Sequence, residues 1–212
     1  MKRITEVING MFQANLPSDY WALPSMELKE LEDCHSIIQR NGQSVWEHTM
    51  SVIDLLTIKN DITLLSGLFH DLGKSKIAPM VDVSLPRFPG HADESATIAE
   101  IRLSEWGADP YLIDRVVRIV STHMFDISNA MREKTIRKFV ADVGQDNIEN
   151  WFAVRVADSR SYATQQVYRN RFIDPFREAV MKYLSQQPVI GEVQFEKSDE
   201  PSAIHIKGAE DK

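Results

Sequence analysis

Three helical stripes in this chain are apolar except for one polar group each, and that pattern constrains the fold more than any other feature. Apolar residues recur at three- and four-residue spacing, the period of amphipathic helices. His48 shares a stripe with Val52 and Leu55, His123 with Val116 and Val120, and Asp158 follows Val154 at i+4. A lone histidine on such a face is commonly a hydrogen-bonded core residue. A carboxylate brought inside without a partner is expensive. One shared metal ion satisfies all three groups. The expected fold class is therefore all-α, a helical bundle with a metal site between its helices.

His70-Asp71, in Leu68-Phe69-His70-Asp71-Leu72-Gly73-Lys74, supplies an adjacent nitrogen and oxygen donor. Imidazole and carboxylate together suit first-row divalent metals, and a cysteine-free site keeps positions open for water or substrate. At a helix end the two side chains diverge by about 100° around the axis, and both reach an ion just beyond the last turn. Gly73 is expected as the C′ residue and Asp61 as the N-cap of that helix. Lys74 reads equally well as a cation for a phosphate or as a solvated lysine favoured by the helix dipole. His91 and His123 lie downstream.

Helices are expected over about 45–58, 62–72, 91–106, 110–124, 133–140, 146–166 and 175–186. Asp109-Pro110 gives the usual order of N-cap and first-turn proline, and Gly107 a stop before it. Pro79 to Gly90 holds three prolines and a glycine and reads as a loop. Residues 189–212 read as a short hairpin or a polar tail after one domain over 1–188. A formal charge of −7 argues against general nucleic-acid binding, which needs excess basic surface. It leaves room for a small phosphorylated ligand, because a bound metal reverses the local field. The single cysteine, Cys34, excludes an intramolecular disulfide and fits a reducing cytoplasm. No apolar run approaches transmembrane length, and no signal-peptide core follows Met1, so the expected location is cytoplasmic with no membrane partner.

The order His48…His70-Asp71…Asp158 resembles the H…HD…D signature of the HD-domain superfamily of metal-dependent phosphohydrolases. Trp46-Glu47-His48-Thr49-Met50-Ser51-Val52-Ile53-Asp54 is similar to its first motif and His70-Asp71-Leu72-Gly73-Lys74 to its second. Pro89-Gly90-His91-Ala92-Asp93-Glu94-Ser95-Ala96 resembles the element that follows. Val120-Ser121-Thr122-His123 and Arg155-Val156-Ala157-Asp158-Ser159-Arg160 resemble the last two. Over about 26–168 the order and spacing are most similar to the HD domain of bacterial tRNA nucleotidyltransferases (CCA-adding enzymes). The Gly-Ser and paired-carboxylate motif of their catalytic head has no counterpart in this sequence.

The resemblance implies an HD-domain bundle and a phosphohydrolase, either a phosphomonoesterase or a 2′,3′-cyclic phosphodiesterase, acting on nucleotides or related esters. His48, His70, Asp71 and Asp158 would hold a divalent ion (Mn, Ni, Co, Mg, Zn or Fe), and Asp71 could bridge to a second. His91 and His123 would serve catalysis with Asp71, either as ligands of that second ion or as phosphate contacts and proton donors. Phosphate contact is the preferred role, since a mononuclear site is the simpler form. Lys74, Arg87 and Arg160 are the candidate substrate contacts; Arg155, at i−3 from Asp158, is placed either to support that carboxylate or to contact phosphate and stays outside the chosen set. His35 reads as a cap for a neighbouring helix, Cys34 as a small core residue, and Trp46, Trp106 and Trp151 as core anchors. Two rival functions remain: a di-iron oxygenase built on the same H…HD…H…H…D order, and a non-catalytic nucleotide- or RNA-binding accessory module.

Overall fold

The computed structural model describes residues 4–6, 9–10, 28–39, 41–77, 80–82, 85–128, 132–162 and 171–187. Its helices are α1 (Lys29–Asp33), α2 (Val45–Asp54), α3 (Asp61–Phe69), α4 (His91–Glu105), α5 (Pro110–Thr122), α6 (Glu133–Val143), α7 (Ile148–Ser161) and α8 (Ile173–Ser185). Short 3-10 turns at Leu72–Ser75 and Gln145–Asn147 follow α3 and precede α7. The fold class is all-α, as expected. One correction concerns the stretch read as a loop: it contains strands β1 (Met80–Asp82) and β2 (Leu85–Arg87), antiparallel, with Met80 opposite Arg87 and Val81 opposite Pro86. Each strand of a two-stranded ribbon keeps a free edge, so Pro86 removes no obligatory ladder bond. The tail or hairpin expected over 189–212 lies outside the described residues.

Cap chemistry sets the helix ends more sharply than periodicity does. Ser44 opens α2 through a capping box, accepting from the Glu47 amide at 3.1 Å while Glu47 accepts from the Ser44 amide at 2.7 Å. The N-cap of α3 is Asn60, not the expected Asp61, because Asn60 and Thr63 exchange the same reciprocal pair of bonds at 2.9 and 3.0 Å. Asp109 caps α5 as expected, accepting from the Tyr111 and Leu112 amides ahead of Pro110. Gly107, at φ 75°, closes α4 with a Schellman pair: its amide bonds Ser104 and the Ala108 amide bonds Leu103.

Helix α3 is the axis of the bundle. Every residue from Thr63 to Phe69 is buried, and α2, α4, α5 and α7 pack around it. A helix apolar on all sides belongs in a core. Farther out, Phe139, Trp151 and Phe176 join α6, α7 and α8, with ring centroids 4.7 Å apart for Phe139–Trp151 and 4.9 Å for Phe139–Phe176. Cys34 is fully buried, and burial pushes its thiol up to about 12, which suits a packing role. Trp106 and Trp151 are buried and Trp46 packs at the edge of the core, stacked on His35 at 4.5 Å. No helix among the described residues is long and apolar enough to cross a membrane.

Candidate metal centre

The ends of α3, α4 and α5 converge on the middles of α2 and α7. α3 stops at Phe69, His70 is its C-cap, and Asp71 leaves the helical path at φ −113°, ψ 1°. That bridge conformation is sparsely populated and common for residues with a functional side chain. The following 3-10 turn runs under α4. Gly73 stands there for lack of space and not as the left-handed C′ residue expected, since a Cβ at 73 would overlap the His91 carbonyl oxygen and the Ser95 amide. Its own amide donates to Ser95 Oγ at 2.8 Å. Gly90, at φ 82°, starts α4 so that His91 is the first helical residue. His123 is the C-cap of α5.

Each histidine is fixed through Nδ1. His70 Nδ1–H donates to the Gly67 carbonyl at 2.8 Å, His91 to Phe88 at 2.7 Å and His123 to Val120 at 2.6 Å. His48 Nδ1 lies 2.8 Å from Ser161 Oγ, whose own proton goes to the Asp158 carbonyl, so here too Nδ1 is the donor. With Nδ1 protonated, the lone pair of each neutral ring sits on Nε2. These Nε2 atoms face one another: His48 and His70 at 3.2 Å, and His91 and His123 at 3.2 Å. Two lone pairs at that distance do not satisfy each other. A cation between them does, and a backbone carbonyl on the far nitrogen is the usual support for a metal-ligating imidazole.

Asp71 joins the two pairs. Its Oδ2 lies 3.4 Å from Nε2 of both His48 and His70, while Oδ1 lies 3.2 Å from His91 and 3.7 Å from His123. Asp158 Oδ1 adds a contact to His48 at 3.2 Å. Two groups, His48–His70–Asp71 and Asp71–His91–His123, are each compact enough to hold a metal ion. All of these side chains are buried. For Asp71 burial alone would raise the carboxyl, yet Lys74 and His70 hold it well below the usual carboxylate range. Burial likewise opposes ionisation of Asp158, but His48 and Arg155 keep it low. Burial lowers His48 and His123; it also opposes charge on His70, where Asp71 prevails and raises it. The centre thus holds two charged carboxylates among imidazoles, the donor set of a divalent ion.

Asp71, His91, His123 and Asp158 line a cavity of about 330 Å³, near the lower limit of ligand pockets. Lys74 lines it, buried, with Nζ on Asp71 Oδ2 at 2.6 Å and on Gln39 Oε1 at 2.8 Å. Arg87 and Arg160 are exposed and are not part of this wall. Arg155 is, and Ser159, Tyr162 and Phe172 join it. For this side of the cavity the sequence signals are the Arg155–Arg160 motif and the i−3 spacing of Arg155 to Asp158. Gln39, which also accepts from Tyr162 at 2.9 Å, carries none. His35 is not part of the wall.

A profile of the HD domain matches residues 45–163, a stretch that begins with α2 and ends just after α7. The chain belongs to the HD domain family. This HD protein is also 30% identical over 154 residues to the CC-adding tRNA nucleotidyltransferase of Thermus thermophilus, covering 68% of this chain. It spans about a third of that relative's length, 34%. The six histidine and aspartate donors of this HD protein all fall inside the matched stretch.

Proposed function

We propose that this protein is a metal-dependent phosphohydrolase acting on phosphate esters of nucleotides or related metabolites. The observation that carries the reading is the Asp71 carboxylate, with one oxygen toward His48 and His70 and the other toward His91 and His123. Such a bridge suits two adjacent divalent ions and favours the ligand role for His91 and His123 over phosphate contact. His48, His70, Asp71 and Asp158 would hold the first ion; Asp71, His91 and His123 the second. Bound divalent ions supply a water of lowered pKa and polarise a phosphoryl oxygen. The protein's part is to fix four rings through their Nδ1 protons, to keep both carboxylates ionised, and to set the Lys74 ammonium beside the anion. In the cavity wall Lys74 and Arg155 stand against Asp71, Asp126 and Asp158, one charge short of neutral, and one divalent ion reverses the sign. An anionic substrate fits that field.

The test is a turnover panel on metal-stripped protein reloaded with Mn, Co, Ni, Mg, Zn or Fe. It offers nucleoside mono- and triphosphates, 2′,3′-cyclic nucleotides and an aryl phosphate, with the His70→Ala/Asp71→Ala protein as blank. Metal-dependent turnover that disappears in the blank supports the proposal. Folded, metal-loaded protein silent on every ester sinks it. A second reading, a di-iron oxygenase, is favoured by the meeting of all six donors in one cluster. Turnover requiring both iron and oxygen would select it.

A further inference from the structure

Helix α7 presents two side chains to the cavity that the metal centre does not use. Arg155 and Ser159 are four residues apart, hence on one face of the helix, on either side of Asp158. Both line the cavity. Ser159 is 3% exposed, and among the described residues neither its Oγ nor Arg155 Nε has a hydrogen-bond partner. The guanidinium is anchored from its other side, where Nη1 donates to the His123 carbonyl at 2.9 Å and approaches Asp158 Oδ2 at 3.5 Å. A buried donor left unmet costs stability, and native chains retain one where a ligand or a mechanism needs it. Here two stand together, one charged and one neutral, beside the same carboxylate.

We infer that the Arg155 guanidinium and the Ser159 hydroxyl, once its rotor turns toward the cavity, form the subsite for the phosphoryl oxygens of the substrate, in the same cavity that Lys74 lines. This rests on the phosphohydrolase reading and gives it a specificity element. Arg155 supplies a fixed guanidinium edge, suited to two oxygens of a tetrahedral anion. Ser159 adds a donor adjustable by one side-chain rotor. Asp126, Ser128 and Tyr162 complete the lining, whose apolar part is Met124, Ile127 and Phe172. That part offers apolar and aromatic surface to the organic half of the ester. A small phosphomonoester fills the cavity with its phosphate on α7 and its organic group against those three residues.

The experiment is calorimetric titration of inorganic phosphate into metal-loaded wild-type, Ser159→Ala and Arg155→Lys proteins, with metal content and phosphate-free melting measured in parallel. Acetate serves as the control anion. Ser159→Ala removes an unmet donor, so without phosphate the variant melts at or above the wild-type temperature with unchanged metal content. Its phosphate affinity falls about tenfold, the scale of one lost hydrogen bond. Arg155→Lys keeps the charge but loses the planar edge and weakens phosphate by about tenfold or more. Acetate affinity changes in neither variant. Wild-type affinity for phosphate in Ser159→Ala overturns the subsite, as does a wild-type protein that ignores phosphate. Should Arg155→Lys not fold, Ser159→Ala alone decides. If no ester is turned over but phosphate binds wild type and not the variant, the subsite stands and the hydrolase reading falls. If esters are turned over and Ser159→Ala changes neither KM nor phosphate affinity, the reverse holds.

Discussion

Two polar clusters, each around a buried carboxylate, depend on the same six residues, Asp71–Lys76, and they are built in opposite ways. On one side Lys76 and Arg102 converge on Glu30, at 3.4 Å and 3.0 Å, and opposite charges close the arrangement. On the other, Asp71 faces four imidazoles whose lone pairs face each other. Glu30 is fully answered by protein groups, so its cluster is explained by α1 and α4 being held together. The donor centre is not answered by protein groups alone. The two central carboxylates, Glu30 and Asp71, are both buried, so burial of a carboxylate does not by itself mark function. What marks it is a polar cluster whose groups all offer the same thing.

The largest way to break the contrast is Asp71→Asn. It removes the charge that serves both histidine pairs while leaving an amide oxygen for Lys74. Activity against the best ester falls about 10³-fold or more, and both metal equivalents leave the protein. Elemental analysis with steady-state kinetics reads both. Full metal content with lost activity would mean that Asp71 acts on substrate and bridges nothing. Next is His91→Ala. If His91 is a ligand, the protein loses one metal equivalent, keeps the other, and slows roughly 100-fold. If His91 touches phosphate instead, metal content is unchanged and KM rises alone. That variant decides between the two roles that the sequence left open.

Much of the centre was legible because it is periodic. His48, His123 and Asp158 fall on apolar stripes, so helix phase brings them inward, and the HD pair is placed by the end of α3, where Asp71 leaves the helical path. The part that stayed hidden depends on tertiary direction. Nothing in spacing tells which oxygen of Asp71 turns toward His91, and so phosphate contact looked the simpler role for that histidine. Arg87 and Arg160 stand close to a motif in sequence, but helix rotation and hairpin placement leave both at the surface. Arg155 and Ser159 differ from Arg160 only in phase around α7. Asn60 displaced Asp61 as a cap because its reciprocal bond with Thr63 satisfies a second amide, a local detail that periodicity ignores.

Gly73→Ala tests the joint between the two clusters. The added methyl meets backbone atoms at the start of α4, which cannot rotate away as a side chain could. The 3-10 turn must shift, and with it Asp71 and Lys76 together. A loss of about 1–3 kcal/mol is expected from such overpacking, read as a lowered denaturation midpoint. The variant should also take up metal more weakly, because His91 moves relative to Asp71. Unchanged stability would show that the turn yields freely and that the two clusters are independent.

Glu30→Gln carries the smallest effect and isolates the satisfied cluster. Burial by itself would raise the Glu30 carboxyl, but the Arg102 hydrogen bond and the charges of Arg102 and Lys76 bring it below its ordinary value of 4.5. A carboxyl lowered on folding contributes stability that is complete above its unfolded pKa and is lost as pH falls through the folded one. Wild type should therefore exceed Glu30→Gln by no more than about 1 kcal/mol at neutral pH, because Arg102 and Lys76 are partly exposed and solvent screens their charges. The gap should narrow as pH drops below about 4.5. Metal content and phosphate affinity should match wild type at neutral pH, since Arg102 and Lys76 answer Glu30 and nothing in the donor centre does. A gap that persists unchanged into strong acid would mean that Glu30 acts through packing, and the comparison between a charge-closed cluster and a ligand-seeking one would lose its reference.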